Sequence, residues 1–489
     1  MFNTILGHTI LTGASQIWSV LVGFIAYPIY LSVLGKDQFG VFGFYLIVIS
    51  FVPLADFGVS ALLGRESAIL KTRYRDSTGN ISNIIILSTI LEVFFIFILI
   101  GAYRFTDLNF FEEIGLRRIE AYVLIILFSL IFYFRILVGW FRALLFGVLQ
   151  YKWLSINSII INSLRGLGPI LSVYIISNLI FLLSFITIVS AIEVIMCFFK
   201  MKSLGFSFER ELKGFGGILG ESRRALVKSS SNGFAVFIWS IFISSERFFL
   251  SREMRAADVG LYALISTLCG GLTQLFQPIL QTFFPKISFA LEQNDNLASD
   301  ILIRRMFYYI LCVLLPVCGA FVFCGVGFLE WWLGKGVDGV WGMVVFPNYV
   351  VASLLSALVS ALYYLQLATN NLSFHLRFTA ILSLTGVPVL GLICHRYGAV
   401  GSSLFWVMIY LICFIVLFWR LSIYIFKIKL SLEILSDFAV LLSIVLFFAI
   451  SVKYGIGLSG KISFWIIFVL SFLGVSFYSL IFRRQIIND

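Results

Sequence analysis

The feature that most constrains this chain is a succession of about fourteen stretches, each dominated by apolar residues and separated by short polar segments. A helix needs roughly 20 such residues to cross a bilayer. The stretches fall at 14–34, 40–63, 82–103, 121–148, 154–176, 179–199, 230–250, 260–284, 306–329, 342–367, 378–394, 399–419, 436–452 and 463–481. The expectation is an all-α polytopic membrane protein. Composition points the same way, with 61% hydrophobic and 12% charged residues among 489. The mean hydropathy of +1.04 exceeds anything a water-soluble domain of this size requires. All 8 prolines lie in or beside apolar runs. Neighbouring helices can re-satisfy the carbonyls that prolines free, so kinked helices are expected.

The net charge of +11 would suit nucleic acid, but no polar segment interleaves basic and aromatic residues as such a surface requires, so no nucleic-acid partner is expected. The charge follows the loops instead. With a cytoplasmic N-terminus, the inner loops hold twenty Lys and Arg and the outer loops ten, which places both termini inside. The 7 cysteines sit in apolar segments without CxxC spacing and read as small buried hydrophobes. Residues 1–13 lack a basic n-region and a cleavage site, so no removable signal peptide is expected.

Residues 200–229, rich in charge and glycine, form the longest polar stretch and read as a cytoplasmic linker. The expected organisation is an N-terminal six-helix bundle (1–200), the linker (201–229), a C-terminal six-helix bundle (230–420) and two additional transmembrane helices (421–489). A shift of 220 residues aligns Gly40 with Gly260, and a shift of 219 aligns Pro169 with Pro388. Two matches at nearly one offset, divided by the linker, point to a pseudo-repeat. An even number of spans per bundle makes the repeats parallel, a plan transporters use.

Ionisable residues inside spans are costly and face a partner or a cavity. They are Asp56, Arg65 and Glu66 in the second span, Glu92 in the third, Arg135 and Arg142 in the fourth, Arg165 in the fifth, Glu193 in the sixth, and Glu246 and Arg247 in the seventh. Arg135 and Arg142 stand seven residues apart, which puts them on one helix face with Gly139 between them. Two guanidiniums beside a glycine suit an anionic ligand such as a phosphate. The competing reading has Arg142 snorkelling to the interface and Arg135 paired with Glu92. Arg165 lies beside "GLGP", where glycines and Pro169 are expected to loosen the helix. Arg65 and Glu66 also fit an interfacial pair. Glu92, a mid-span carboxylate whose charged form desolvation disfavours, can take up a proton or pair with an arginine, and Glu66 partly shares the face of Asp56. There is no P-loop, helical zinc motif or Ser/His/Asp arrangement, so no catalytic residue, metal or cofactor is assigned and no enzyme is expected.

The segment "YPIYLSVLGKDQFGVFGFYLIVISFVPLADFGVSALLGRESA" (27–68), with its "LG...FG.....L" entry, its Asp56 and Gly58, and its Arg65 and Glu66, resembles the opening helices of the polysaccharide-transport and Wzx-type O-antigen flippases. "YGAVGSSL" (397–404) is similar to the start of the twelfth helix in that family, part of the multidrug/oligosaccharidyl-lipid/polysaccharide (MOP) exporter superfamily. The resemblance implies a flippase of the bacterial inner membrane. It would carry a polyprenyl-diphosphate-linked oligosaccharide, an O-antigen or capsule repeat unit, from the cytoplasmic to the outer leaflet by alternating access, coupled to H+ or Na+ flux. Arg135, Arg142, Arg165 and Arg65 would then bind substrate, and Asp56, Glu66 and Glu92 would couple the ion. Implied partners are the lipid-linked substrate, membrane lipids, and a polysaccharide polymerase with its chain-length machinery. The rival functions on the same fold are a multidrug or organic-cation antiporter and a lipid II flippase. A membrane-embedded glycosyltransferase or polymerase would want a larger outer loop than 104–120.

Overall fold

The computed structural model describes residues 2–52, 60, 63, 67, 93, 118–204, 238–334, 339–369, 373–424, 428–455 and 460–487. Among them there is no strand. The first helix, α1 (Phe2–Ile49), is two helices joined at Gly35, whose φ of 76° and ψ of 171° interrupt the run. A Cβ at Gly35 would meet nothing within 4 Å among the described residues, and its positive φ is the conformation that glycine adopts most readily. The break falls where "GKDQ" supplies polar side chains between two apolar runs.

Next come α2 (Arg118–Gly147), α3 (Tyr151–Ile175) and α4 (Leu179–Ser203). The three-residue gap between α3 and α4 ends at Asn178, whose side chain accepts from the Ile180 N–H and caps α4. The Gln38 side chain of α1 accepts a second bond at the same end, from the Leu179 N–H. The spans expected at 154–176 and 179–199 are therefore two separate helices. A helix α5 covers 238–253.

The remaining helices are α6 (Ala256–Glu292), α7 (Asn296–Leu333), α8 (Phe346–Ala368), α9 (Ser373–Tyr424), α10 (Ile428–Gly455) and α11 (Gly460–Ile487). A π-turn at Trp341–Val345 leads into α8. Like α1, α9 is two helices joined at a glycine, here Gly398 with φ 54°. The spans expected at 378–394 and 399–419 are its two arms. Helix α7, with 38 residues, is likewise two helices joined at a kink, here Cys324 with φ −119° and ψ 21°. Nine candidate membrane spans are present among the described residues. The expected span at 82–103 lies outside them except for Val93, as do residues 205–229 of the expected linker 201–229, whose first residues instead continue α4 to Ser203.

The chain divides into two compact units, one of residues 18–264 and 379–391, the other of residues 1–17, 265–378 and 392–489. In the first, α1 and α6 cross at bare backbone: a Cβ on Gly43 would lie 2.7 Å from the Gly260 Cα, and one on Gly260 would lie 3.1 Å from the Gly40 Cα. Gly40 and Gly260, the pair that a shift of 220 residues aligns, thus meet at the crossing. Close approach at small residues is how membrane helices gain contact, because lipid supplies no hydrophobic drive between them. Trp140, Phe141 and Leu144 of α2 pack with Cys197 and Met201 of α4 into a core. Large apolar side chains such as Leu171, Ile175, Ile188 and Phe199 stand exposed, as a lipid-facing surface requires.

In the second unit, Phe321 and Phe328 of α7, Phe346 of α8 and Phe464 of α11 form one aromatic cluster, with neighbouring centroids 4.7 to 5.9 Å apart. A Cβ on Gly325 would lie 2.6 Å from the Gly342 carbonyl oxygen, so α7 and the π-turn also touch backbone to backbone. The terminal helices are integral to this unit. Arg304 of α7 donates through Nε and Nη2 to the two carboxylate oxygens of Asp437 at 2.7 and 3.1 Å, and through Nη1 to Glu433 at 2.9 Å, tying α10 to α7.

Candidate functional site

The site is built on three helices of the first unit. Helix α2 carries Arg135 and Arg142, α3 carries Ser158 and Arg165, and α4 carries Ser190 and Glu193. Glu193 is 1% exposed, and a carboxylate so deep in an apolar bundle must be met by cations or hydrogen-bond donors. Arg165 donates through Nη2 to its Oε2 at 2.6 Å, and Arg142 through Nη1 to its Oε1 at 3.4 Å. Arg142 also donates through Nη2 to the Ser158 hydroxyl at 2.5 Å. Ser158 in turn donates to the Leu154 carbonyl. The Ser190 hydroxyl lies 3.5 Å from Arg165 Nη2.

Arg135 completes the group. Its strongest electrostatic neighbour is Arg165, and Glu193, Tyr45 and Arg142 also lie within range. It makes no hydrogen bond or ion pair among the described residues. Beside it, a Cβ on Gly139 would meet nothing nearer among the described residues than the Ser60 hydroxyl at 3.8 Å. Three arginines against one carboxylate leave a formal charge of +2 on this group. The arrangement can receive an anion through donors already held in place.

Local sequence explains how Arg165 is held. Glycines follow it at 166 and 168, where a Cβ would strike Val22 of α1 and, at 2.5 Å, the Phe185 ring of α4. They let α3 wedge between those helices. Pro169 lies inside α3 without ending it. Having no N–H, it cannot donate to the Arg165 carbonyl, one turn back. The Gly166 carbonyl accepts from the Tyr30 hydroxyl, and Trp18 donates to Ser163 at 2.7 Å, so α1 braces this loosened turn. The loosening expected of "GLGP" is a close packing of helices around an unbroken one.

Of the residues expected to serve the site, Arg135, Arg142 and Arg165 are brought together. Arg142 does not snorkel; it turns inward to Glu193 and Ser158. Asp56, Arg65, Glu66 and Glu92 lie outside the described residues, and the Arg135–Glu92 pair with them. Glu193 had no assigned role, yet it organises the group. A signal for it exists in the hairpin α3–α4: with the turn near 177, Arg165 lies 12 residues before it and Glu193 16 after, one helical turn apart in depth and within the reach of an arginine. The same reasoning across the α2–α3 turn sets Arg142 level with Ser158. Among the described residues no group of three His, Cys, Asp or Glu is placed to hold a metal.

The sequence of this chain matches the family described as polysaccharide biosynthesis protein over residues 5–290, well over half of its length and all of the site. The chain belongs to the polysaccharide biosynthesis protein family. No curated protein matches it. Among solved structures, this family member is similar to an inward-facing multidrug resistance MATE family transporter of the MOP superfamily, at 14% identity and TM-score 0.55, covering 85% of this chain and 94% of that one. It is similar to the bent form of the Vibrio cholerae MATE transporter VcmN at 12% identity and TM-score 0.53, covering 89% and 98%. A third likeness is to a MOP superfamily transporter from Pyrococcus furiosus with a binding pocket of reverse polarity, at 12% identity and TM-score 0.52, covering 85% and 96%. The fold is the one seen in those MOP-superfamily transporters, and the polysaccharide biosynthesis protein is a multi-pass membrane protein.

Proposed function

We propose that this transporter is a flippase for a polyprenyl-diphosphate-linked oligosaccharide, an O-antigen or capsule repeat unit. It moves that substrate from the cytoplasmic to the outer leaflet of the bacterial inner membrane by alternating access, with both termini cytoplasmic. The observation that carries this reading is the cluster of Arg135, Arg142 and Arg165 around one carboxylate, with Arg135 unpaired among the described residues. A diphosphate offers several acceptor oxygens, and hydrogen bonds to charged groups contribute about 1.5–3 kcal/mol each. An organic cation would meet net positive charge, which disfavours it by the same electrostatics. The family's link to polysaccharide biosynthesis supports a saccharide cargo.

In this reading Arg135, Arg142 and Arg165 hold the diphosphate or acidic sugars, joined by Arg65. Asp56, Glu66 and Glu92 couple transport to H+ or Na+. The polymerase and chain-length machinery receive the product on the outer face.

The test is complementation of a strain lacking its own O-antigen flippase, scoring surface polysaccharide at matched membrane levels. The wild type is expected to restore polysaccharide, Arg135→Ala to lose it and Arg135→Lys to retain part. Failure of well-expressed wild type across several sugar repeats, or full activity of Arg135→Ala, overturns the proposal. Drug resistance conferred in place of polysaccharide would assign the fold to small-molecule export.

A further inference from the structure

Glu193 uses both oxygens on arginines. Oε2 takes Arg165 Nη2 at 2.6 Å and Oε1 takes Arg142 Nη1 at 3.4 Å, so the carboxylate bridges α2 and α3 from its place on α4. A phosphate oxygen satisfies a guanidinium in the same geometry as a carboxylate oxygen. A phosphate entering this group therefore contends with Glu193 for the same donors. The carboxylate is 1% exposed, and the side chains of Arg165 and Arg142 are 13% and 38% exposed, so an incoming anion approaches from the arginine side with Glu193 behind.

We propose that Glu193 is an internal counter-anion, which fills the arginine clamp while the transporter is empty and yields it to the phosphate groups of the substrate. This rests on the anionic-substrate reading above and names the residue against which that substrate competes. The groups facing Glu193 are Arg135 and Arg142 from α2, Arg165 from α3, and Cys197 on its own helix. Tyr45 of α1 faces the two arginines Arg135 and Arg165. No second carboxylate faces it among the described residues. When phosphate takes the guanidiniums, Glu193 is left as a buried anion without its cations and beside a new negative charge. That state is costly, so the carboxylate takes up a proton from water as it is displaced. Net charge in the group then changes by less than the charge of the ligand, which lowers the barrier to carrying a polyanion through an apolar bundle.

The experiment uses the full-length protein in nanodiscs of zwitterionic lipid and farnesyl diphosphate as a short prenyl-diphosphate probe, with farnesol as the tail-only control. Binding is measured by calorimetry in buffers of different ionisation enthalpy. Between about pH 7 and 8.5 the diphosphate itself is largely ionised. The wild type is expected to bind the diphosphate but not farnesol, to take up a fraction of a proton up to one per ligand, and to bind more tightly as pH falls, by at most about tenfold per unit. Glu193→Gln removes the competitor and is expected to bind about tenfold more tightly, or 1.4 kcal/mol, with no extra proton uptake.

A wild-type affinity independent of pH in that range, or proton uptake equal in wild type and a folded Glu193→Gln, overturns this inference. The wild-type measurement decides the matter even if the variant does not fold. If the wild type binds the diphosphate, loses it in Arg165→Ala and shows no proton linkage, only this inference falls. Binding no better than farnesol would remove the anionic-substrate reading as well.

Discussion

Replacing Arg304 with alanine is expected to loosen α10 from α7. The side chain of Asp437 is 7% exposed and takes two bonds from Arg304, while Glu433, 34% exposed, takes one. Removing the arginine leaves Asp437 buried without its cation. Breaking a fully buried pair costs about 3–5 kcal/mol. Arg304 is itself 27% exposed and Glu433 more so, and water screens part of that, which brings the expectation to about 2–3 kcal/mol. For a unit of this size that is a fall in melting temperature of about 5–10 °C. The assay is thermal unfolding in detergent, paired with protease cleavage in the α9–α10 connection. Arg304→Lys should fall between, since an ammonium cannot match the bidentate geometry. The double change Arg304→Met with Asp437→Leu should recover most of the loss, because it removes the buried charge along with its partner. A single Arg304→Ala within about 0.5 kcal/mol of wild type would refute the reasoning, and so would a double variant less stable than the single.

At the α1–α6 crossing, Gly43→Leu should cost at least about 2 kcal/mol, because the added Cβ would meet the backbone of Gly260 and Val259, which cannot swing aside. Gly270→Ala, with nothing within 4 Å among the described residues, should cost little and serves as the control in the same melting assay. Gly398→Ala should cost at least about 1–2 kcal/mol, because its φ of 54° with ψ of −141° lies outside the αL well and suits glycine, and Gly398→Asn should cost no less, as read by melting temperature. Arg135→Ala should abolish polysaccharide export with the melting temperature nearly unchanged, since no bond among the described residues is lost. Arg165→Ala should lower both, because it strips Glu193 of its nearest cation. Comparing export with melting temperature for the two variants checks the distinction.

The membrane class and the apolar helices among the described residues were legible in the sequence because they follow from local chemistry, while ends such as those of α7, Asn296–Leu333 against the expected 306–329, were not. Twenty apolar residues must be a helix in lipid, and a polar stretch with glycine, as at Gly35 and Gly398, must be where one helix stops and another starts. Arg135 and Arg142 could be set on one face because their spacing belongs to one helix. Their partner could not be read that way. Glu92 and Glu193 were both mid-span carboxylates, and choosing between them for an arginine requires knowing which helices are neighbours and how deep each residue sits. The same holds for "GLGP": composition describes a weak helix, while packing against Val22 and Phe185 makes its glycines points of contact. Sequence by itself determined what each segment must be in a bilayer, since that depends on residues adjacent along the chain. Only the tertiary structure decided that Glu193 would hold Arg142 and Arg165 while Arg135 stayed unpaired among the described residues, because charges on separate helices interact through distance and burial, which chain order does not encode.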